Sequence, residues 1–169
     1  MDSVDEGQFW TNLGLRSSAL QALELDQAIA NIEDLSDDLD CSALERFSIN
    51  SLSLFLSADA RLRGLRSLRV DKGLSFDRLE RTFKLFLHSC PALEDLDLTG
   101  FTAQFDEGLF KHLGKTLTTL RLHEHEDPSG LCQRRVLSHA EIQDLGRYCC
   151  KLRRLGLDIA YNGRWVSLS

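Results

Sequence analysis

A six-residue pattern, Leu-x-x-Leu-x-Leu, recurs along this chain and constrains its fold more than any other feature. Its six copies begin at Leu20, Leu44, Leu65, Leu93, Leu117 and Leu152. Successive starts lie 24, 21, 28, 24 and 35 residues apart, and the only departures from leucine at the three apolar positions are Phe47, Ile49 and Val70. Self-similarity at intervals of roughly 20 to 50 residues is typical of chains that stack small repeated units.

The spacing inside each copy predicts a short β-strand that follows a corner of the chain. The last two leucines are two residues apart, so both point to the same face of a strand, while the first turns inward from the corner. One such unit cannot bury its apolar side alone, but stacked units share a continuous core beneath a parallel sheet. We therefore predict an α/β leucine-rich-repeat solenoid of about six irregular repeats, with parallel strands on the concave face and helices on the convex face.

Segments between the copies carry apolar residues at helical spacing, which predicts helical return paths. These segments are residues 27–38, 75–89, 102–113 and 138–148. In the last of them, Ser138 and Glu141 have the spacing of a capping box, and Ile142 and Leu145 are predicted to point inward. Residues 50–62 are ambiguous, because their strict alternation fits a strand whereas the repeat length favours a short helix; we predict a helix.

Length and composition fit one elongated domain. The chain has 169 residues, of which 43% are apolar, and this is enough for a substantial core. We assign residues 1–169 to a single domain, with 1–19 as an N-terminal cap or the remnant of a preceding repeat and 125–136 as a loop between repeats. The first residues lack the apolar stretch of a secretory signal, and no run is long enough to span a bilayer. Both observations predict a cytoplasmic or nuclear protein without a membrane partner.

Charge is distributed unevenly along the chain. The net charge is −10 over residues 1–60 and +4 over the remainder. Such an asymmetry can steer a partner or a neighbouring repeat, although a solvated acidic helix face along residues 33–40 explains it more simply. We expect no exposed aromatic residues for stacking on bases around the basic residues between Arg61 and Lys72, so we predict no nucleic-acid partner.

Three of the five cysteines share one position in the pattern. Cys41, Cys90 and Cys149 each stand three residues before the first leucine of a copy. This shared position predicts a small, buried, structural side chain at equivalent corners. The odd number of cysteines and the lack of a Cys-x-x-Cys motif are unfavourable for a disulfide framework.

The sequence offers little for catalysis or metal binding. His123 and His125 would share a strand face, and Glu126 or Asp127 could add an oxygen ligand. This stretch runs into the turn residues 128–130, which favours a solvated loop, so we predict no metal site. We find no Gly-x-Ser-x-Gly, no phosphate-cradling glycine loop and no His-Glu-x-x-His, and therefore predict a non-enzymatic protein without a cofactor.

Polar side chains between and after the strand leucines form two columns that predict a binding surface for a protein partner on the concave face. The column between the second and third leucines is Glu24, Ser48, Arg69, Asp97, Arg121 and Gly156. The next column is Asp26, Asn50, Asp71, Thr99, His123 and Asp158. The alternative is that the alternating acids and arginines simply pair across strands, each pair contributing about 0–1 kcal/mol. If the columns bind a partner, Arg69 and Arg121, which flank Asp97, are the predicted hot spots.

The motifs also carry a family resemblance. The run Cys90–Leu93 followed by Leu-x-Leu resembles the cysteine-containing leucine-rich repeats of F-box proteins. Three further stretches are similar to a set of filamentous-fungal F-box and leucine-rich-repeat proteins, in which "GKTL-x-x-LRLHE", "LS-x-x-(E/D)I-x-x-LG" and "L-x-LDI" with a Gly-x-Trp tail are typical. Here they are Gly114–Glu124, Leu137–Gly146 and Leu155–Trp165.

This resemblance implies a non-catalytic substrate receptor of an SCF-type ubiquitin ligase. In that architecture an F-box binds the adaptor subunit, and the repeats hold the protein to be ubiquitinated. The residues ahead of Leu20 show no F-box pattern, so the SCF adaptor is an expected partner only if an F-box lies outside this chain. The alternatives are a stand-alone leucine-rich-repeat scaffold or inhibitor, or a truncated fragment without independent function.

Overall fold

The computed structural model describes residues 20–25, 43–50, 62–71, 80–125 and 135–158, which form six β-strands and three α-helices. In chain order the elements are β1 (Ala22–Leu25), β2 (Arg46–Asn50), β3 (Ser67–Asp71), α1 (Glu80–Ser89), β4 (Asp95–Thr99), α2 (Glu107–Leu113), β5 (Thr119–His123), α3 (His139–Tyr148) and β6 (Arg154–Leu157). The fold class is α/β, as the sequence predicts.

The six strands form one sheet in which every pair is parallel and the spatial order equals the chain order. The second residue of each strand lies opposite its counterparts, in the row Leu23, Phe47, Leu68, Leu96, Leu120 and Leu155. The hydrogen bonds also recur. The carbonyl just before a strand accepts two successive N–H groups of the next strand, as Thr118 O does from Arg153 N at 2.8 Å and Arg154 N at 3.1 Å. Five junctions therefore share one geometry.

The apolar positions of the four central copies of the pattern point into the core, as predicted. The buried strand residues are Phe47, Ile49, Leu68, Val70, Leu96, Leu98, Leu120 and Leu122, none more than 3% exposed. The first leucines of the same copies, Leu44, Leu65, Leu93 and Leu117, are equally buried. The outer copies are less covered, since Leu23 and Leu157 are only partly buried and Leu155 is 50% exposed.

The helices cover the buried face of the sheet and join its core. Phe83 and Phe86 of α1 and Phe110 of α2 belong to the same buried cluster as the strand leucines. Phe101, which follows β4, places its ring 4.2 Å from that of Phe83, centroid to centroid. Large aromatic side chains bury the most apolar area per residue, so this layer joins helices and sheet into one core.

One predicted helix needs correction, and the predicted start of another is confirmed. Residues 102–113 are not one helix: a 3-10 turn at Thr102–Gln104 is separated from α2 by extended backbone at Phe105. The Asp106 carboxylate accepts the N–H of Leu109 at 2.9 Å, an N-cap that fixes the start of α2. In α3 the predicted capping box is present, with Ser138 and Glu141 bonding each other's backbone N–H.

Ile142 does not point inward, contrary to prediction. Its side chain is 44% exposed, while Leu145, three residues later, is 2% exposed. Residues three apart lie about 60° apart around a helix axis, so a narrow contact buries one without covering the other.

Several predictions fall outside the described residues. These are the cap at residues 1–19, the helix at 27–38, all but the two end residues of the helix at 50–62, Cys41, and most of the loop at 125–136. Within the described part of the chain, the helices are too short and too polar to cross a membrane.

Candidate functional site

The face of the sheet opposite the core is polar and open, and we call it the exposed sheet face. It is formed by the first, third and fifth residues of the strands, because alternate residues point to opposite sides. The register brings the predicted third-position residues into one row: Glu24, Ser48, Arg69, Asp97, Arg121 and Gly156. The fifth-position row contains Asn50, Asp71, Thr99 and His123. Asp158 extends that row beyond β6, while Asp26 lies outside the described residues.

A third row on the same face was missed by the sequence interpretation. It comprises the first residues of the strands: Ala22, Arg46, Ser67, Asp95, Thr119 and Arg154. Arg46, Asp95 and Arg154 are exposed. The signal was available, because these residues stand two positions before the predicted third-position row and therefore share its face.

Arg121 and Asp97 form an ion pair across neighbouring strands. The Arg121 Nη1 lies 3.3 Å from the Asp97 Oδ2, and both side chains remain partly in solvent. The stem of Arg121 passes over Gly156, where an added Cβ would come within 3.3 Å of Arg121 Cγ. The small residue thus leaves room for the arginine to lie along the sheet. A pair this exposed contributes about 0–1 kcal/mol.

Arg69 differs from Arg121, although the two are equivalent in the sequence pattern. Arg69 lies opposite Ser48 on one side and Asp97 on the other. Asp97 bonds Arg121 instead, and Arg69 is exposed without an ion-pair partner among the described residues. The alternative of cross-strand pairing therefore applies to Arg121, whereas Arg69 offers an open guanidinium whose five N–H donors suit a carboxylate.

A second ion pair joins the residues just before β3 and β4, where Arg66 Nη1 is 2.5 Å from Glu94 Oε1. Its side chains are 57% and 42% exposed, so it contributes little to stability. Some of the charged side chains at the rim of the exposed sheet face are therefore already paired with each other across neighbouring strands. The arginines at 46, 69 and 154 have no such partner within the described ranges.

The carboxyl ends of the strands carry a network of histidines and carboxylates. His125 Nε2 lies 2.9 Å from Asp71 Oδ1, and His123 Nδ1 lies 3.3 Å from Asp158 Oδ1. The other Asp158 oxygen accepts the N–H of Glu124 at 2.7 Å, and the Glu124 carboxylate accepts the N–H of Thr102 at 2.7 Å. The hydrogen bonds of Asp158 and Glu124 connect the ends of β5 and β6 and the turn after β4, whereas the His125–Asp71 contact lacks the geometry of a hydrogen bond.

The same contacts bear on the histidines considered above as metal ligands. His123 and His125 contact different carboxylates, Asp158 and Asp71, so their ring nitrogens do not converge. Among the described residues no group of three or more His, Cys, Asp or Glu side chains has the arrangement of a metal site. Glu126 and Asp127 lie outside the described residues.

Cys90 and Cys149 are buried at equivalent corners, as predicted for this position of the pattern. Burial raises the pKa of Cys90 to about 11, and burial together with the nearby Cys150 raises the pKa of Cys149 to about 11. Thiols with such pKa values are protonated near neutral pH and are poor nucleophiles. Their surroundings therefore fit packing in the core.

Comparison of this chain with known proteins gives no match. No family model, no curated protein and no solved structure matches it. The interpretation of function therefore rests on the exposed sheet face.

Proposed function

We propose that this chain is a leucine-rich-repeat solenoid that binds another protein through the exposed sheet face, without catalysis. The observation that carries the proposal is the set of three in-register rows of polar side chains on one open face of a parallel sheet. The strands hold these side chains at fixed spacing, so a partner that contacts them loses little backbone freedom of this chain on binding.

The topology supports the repeat interpretation. In doubly wound folds a parallel sheet is covered by helices on both faces and its strand order reverses. Here the order runs from β1 to β6 without reversal, and the described helices join the core on one face only. At each of the five strand junctions, the carbonyl before one strand accepts the same two N–H groups at the start of the next strand. A solenoid, in which each unit contacts only its neighbours, accounts for all three features.

The charges of the exposed sheet face support protein binding over a purely structural role. Arg46, Arg69, Asp95 and Arg154 are exposed and have no ion-pair partner within the described part of the chain. Three cations and one anion therefore lie on this face, which favours a protein partner of mixed charge over a uniformly charged polymer. Arginine, together with tryptophan and tyrosine, is enriched among the residues that dominate binding energy at protein interfaces.

The sequence resemblance adds a narrower version of the proposal. In it the chain is the substrate-holding part of an SCF-type ubiquitin ligase receptor, as the stretches Gly114–Glu124 and Leu155–Trp165 suggest. The broader version, a stand-alone scaffold or inhibitor, uses the same face and differs only in its coupling to the ligase.

The test is affinity capture from a filamentous-fungal lysate with the full chain and two charge-reversed variants. Arg69→Glu changes the exposed sheet face, and Lys115→Glu reverses an exposed cation in the turn after α2, beside His112. Quantitative mass spectrometry compares what each bait retains. We expect a partner that is enriched by the wild type and by Lys115→Glu but depleted at least tenfold by Arg69→Glu, about 1.4 kcal/mol of binding free energy.

A partner retained equally by both variants would contradict the proposed surface. If the SCF adaptor accompanies the partner, the receptor version is supported. If the partner is captured without the adaptor, the stand-alone version is supported.

A further inference from the structure

The two edges of the sheet have complementary backbone hydrogen-bonding groups. At each of the five strand junctions, the carbonyl before one strand accepts the N–H groups of two successive residues of the next. At the β6 edge the equivalent carbonyl is that of Arg153, and at the β1 edge the equivalent donors are Gln21 and Ala22. None of these groups has a backbone partner among the described residues.

The row of buried apolar side chains in the core also becomes exposed at β6. Leu155 occupies the row of Phe47, Leu68, Leu96 and Leu120, which are at most 3% exposed, yet it is 50% exposed. At the other edge Leu23 is only partly buried. A strand placed beside β6 in the common register would therefore bury Leu155, and one carrying a leucine at this position would complete the row.

The charges at the two edges are opposite in sign. β6 and the residues before it present exposed Lys151, Arg153 and Arg154, whereas β1 presents exposed Glu24. The same asymmetry holds along the sequence, with net charge −10 over residues 1–60 and +4 over the rest. Two copies therefore attract each other head to tail and repel each other when like edges meet.

From these three observations we propose that copies of this chain associate head to tail, with β6 of one copy pairing in parallel with β1 of the next. In the common register Leu155 faces Leu23 of the second copy, and Arg153 O accepts the N–H groups of Gln21 and Ala22. Arg154 lies diagonal to Glu24 of that copy, a separation that an arginine side chain spans. The interface is heterologous, so each added copy presents a fresh edge, and the association is open-ended. It buries the sheet edges and, apart from Arg154 and Glu24 at the junction, leaves the exposed sheet face free.

Sedimentation velocity of the full chain over a wide range of concentrations tests this proposal. We expect the weight-average mass to rise with concentration and to pass twice the monomer mass. Leu155→Glu blocks the β6 edge and should remain monomeric. Leu85→Glu is the matched control, because Leu85 is also an exposed leucine, 58% exposed, but lies on α1; it should associate like the wild type.

Mixing two blocked variants tests the head-to-tail geometry. Ala22→Pro removes the outward N–H of β1, and Glu24→Arg is a second variant of the same edge that keeps the backbone intact. Each should be monomeric alone. Either one mixed with Leu155→Glu retains one good edge of each kind and should form a dimer and nothing larger.

Three results would overturn the proposal. The first is a wild-type mass that stays monomeric at every concentration, which would mean that another part of the chain covers the edges. The second is a mass that stops at the dimer, which indicates an isologous interface. The third is an equal loss of association in Leu155→Glu and Leu85→Glu.

Discussion

Truncating one leucine in the middle of the sheet and one at its edge tests whether side chains at the edge are less buried and contribute less to stability. Leu120 and Leu155 lie directly opposite each other on β5 and β6 and occupy the same row of the pattern. Leu120 is 0% exposed, and Leu155 is 50% exposed. The comparison of Leu120→Ala with Leu155→Ala therefore removes the same atoms from neighbouring strands and changes only how deeply they were buried.

The expected losses follow from transfer and cavity contributions. At Leu120 all the removed carbons leave a buried site and a cavity remains, so the free energy of unfolding should fall by about 3 kcal/mol. At Leu155 half of the side chain already contacts water and no closed cavity forms, so the fall should be about 1 kcal/mol. The difference of about 2 kcal/mol corresponds to roughly 30-fold in the folding equilibrium constant.

Urea denaturation monitored by circular dichroism measures both values. The protein is kept dilute, so that association between copies does not contribute to stability. The urea dependence of the unfolding free energy should be unchanged in both variants, because they expose similar surface on unfolding. Equal losses at the two positions would refute the reasoning, since they would mean that Leu155 is covered as fully as Leu120.

Three further predictions concern local contacts. The Arg121–Asp97 ion pair can be tested by a double-mutant cycle with Arg121→Ala and Asp97→Ala, measured by urea denaturation. The coupling energy should be no more than about 1 kcal/mol, because the pair is largely solvated. A coupling of several kcal/mol would be inconsistent with that exposure. Ser138→Ala should cost about 1 kcal/mol by the same assay, because the capping box of α3 is lost; an unchanged urea midpoint would contradict the cap. Burial, then the nearby His88 and Lys115, hold the pKa of His112 below its ordinary 6.5. The folded state therefore binds fewer protons than the unfolded state, and stability should fall as the pH drops below 6.5, with a shallower fall in His112→Gln. Equal pH dependence in that variant and the wild type would exclude His112 as the cause.

The strands and their register are predictable from the sequence because the six copies of the pattern lie side by side in one sheet, with their apolar positions opposite each other. A leucine in a central copy has a stacked copy on both sides, as Leu96 and Leu120 do, so spacing alone determines that it is buried. That rule fails at the edge, where Leu155 keeps the pattern but lacks a second neighbour. It also fails on α3, where helical spacing alone did not reveal that the buried stripe excludes Ile142.

The sequence predicts which residues lie on the exposed sheet face, but it does not predict which of their charged side chains form ion pairs with each other. Period-two alternation identifies which residues share the exposed sheet face, and it extends to Arg46 and Arg154 once all three exposed positions are counted. Alternation does not determine which of two arginines pairs with Asp97, since Arg69 and Arg121 are its direct neighbours on either side. That choice depends on side-chain paths, including the space above Gly156 that Arg121 uses.

Arginine-specific chemical modification, followed by mass spectrometry, tests the central claim most directly once a partner has been captured. Phenylglyoxal is applied to the free chain and to the complex, and reactivity is compared at Arg46, Arg69 and Arg154 on the exposed sheet face and at Arg135 and Arg147 near and on α3. The account predicts that the partner protects the sheet arginines, Arg69 most strongly, while the α3 arginines react as in the free chain. Protection at Arg135 and Arg147 with full reactivity at Arg69 would contradict it.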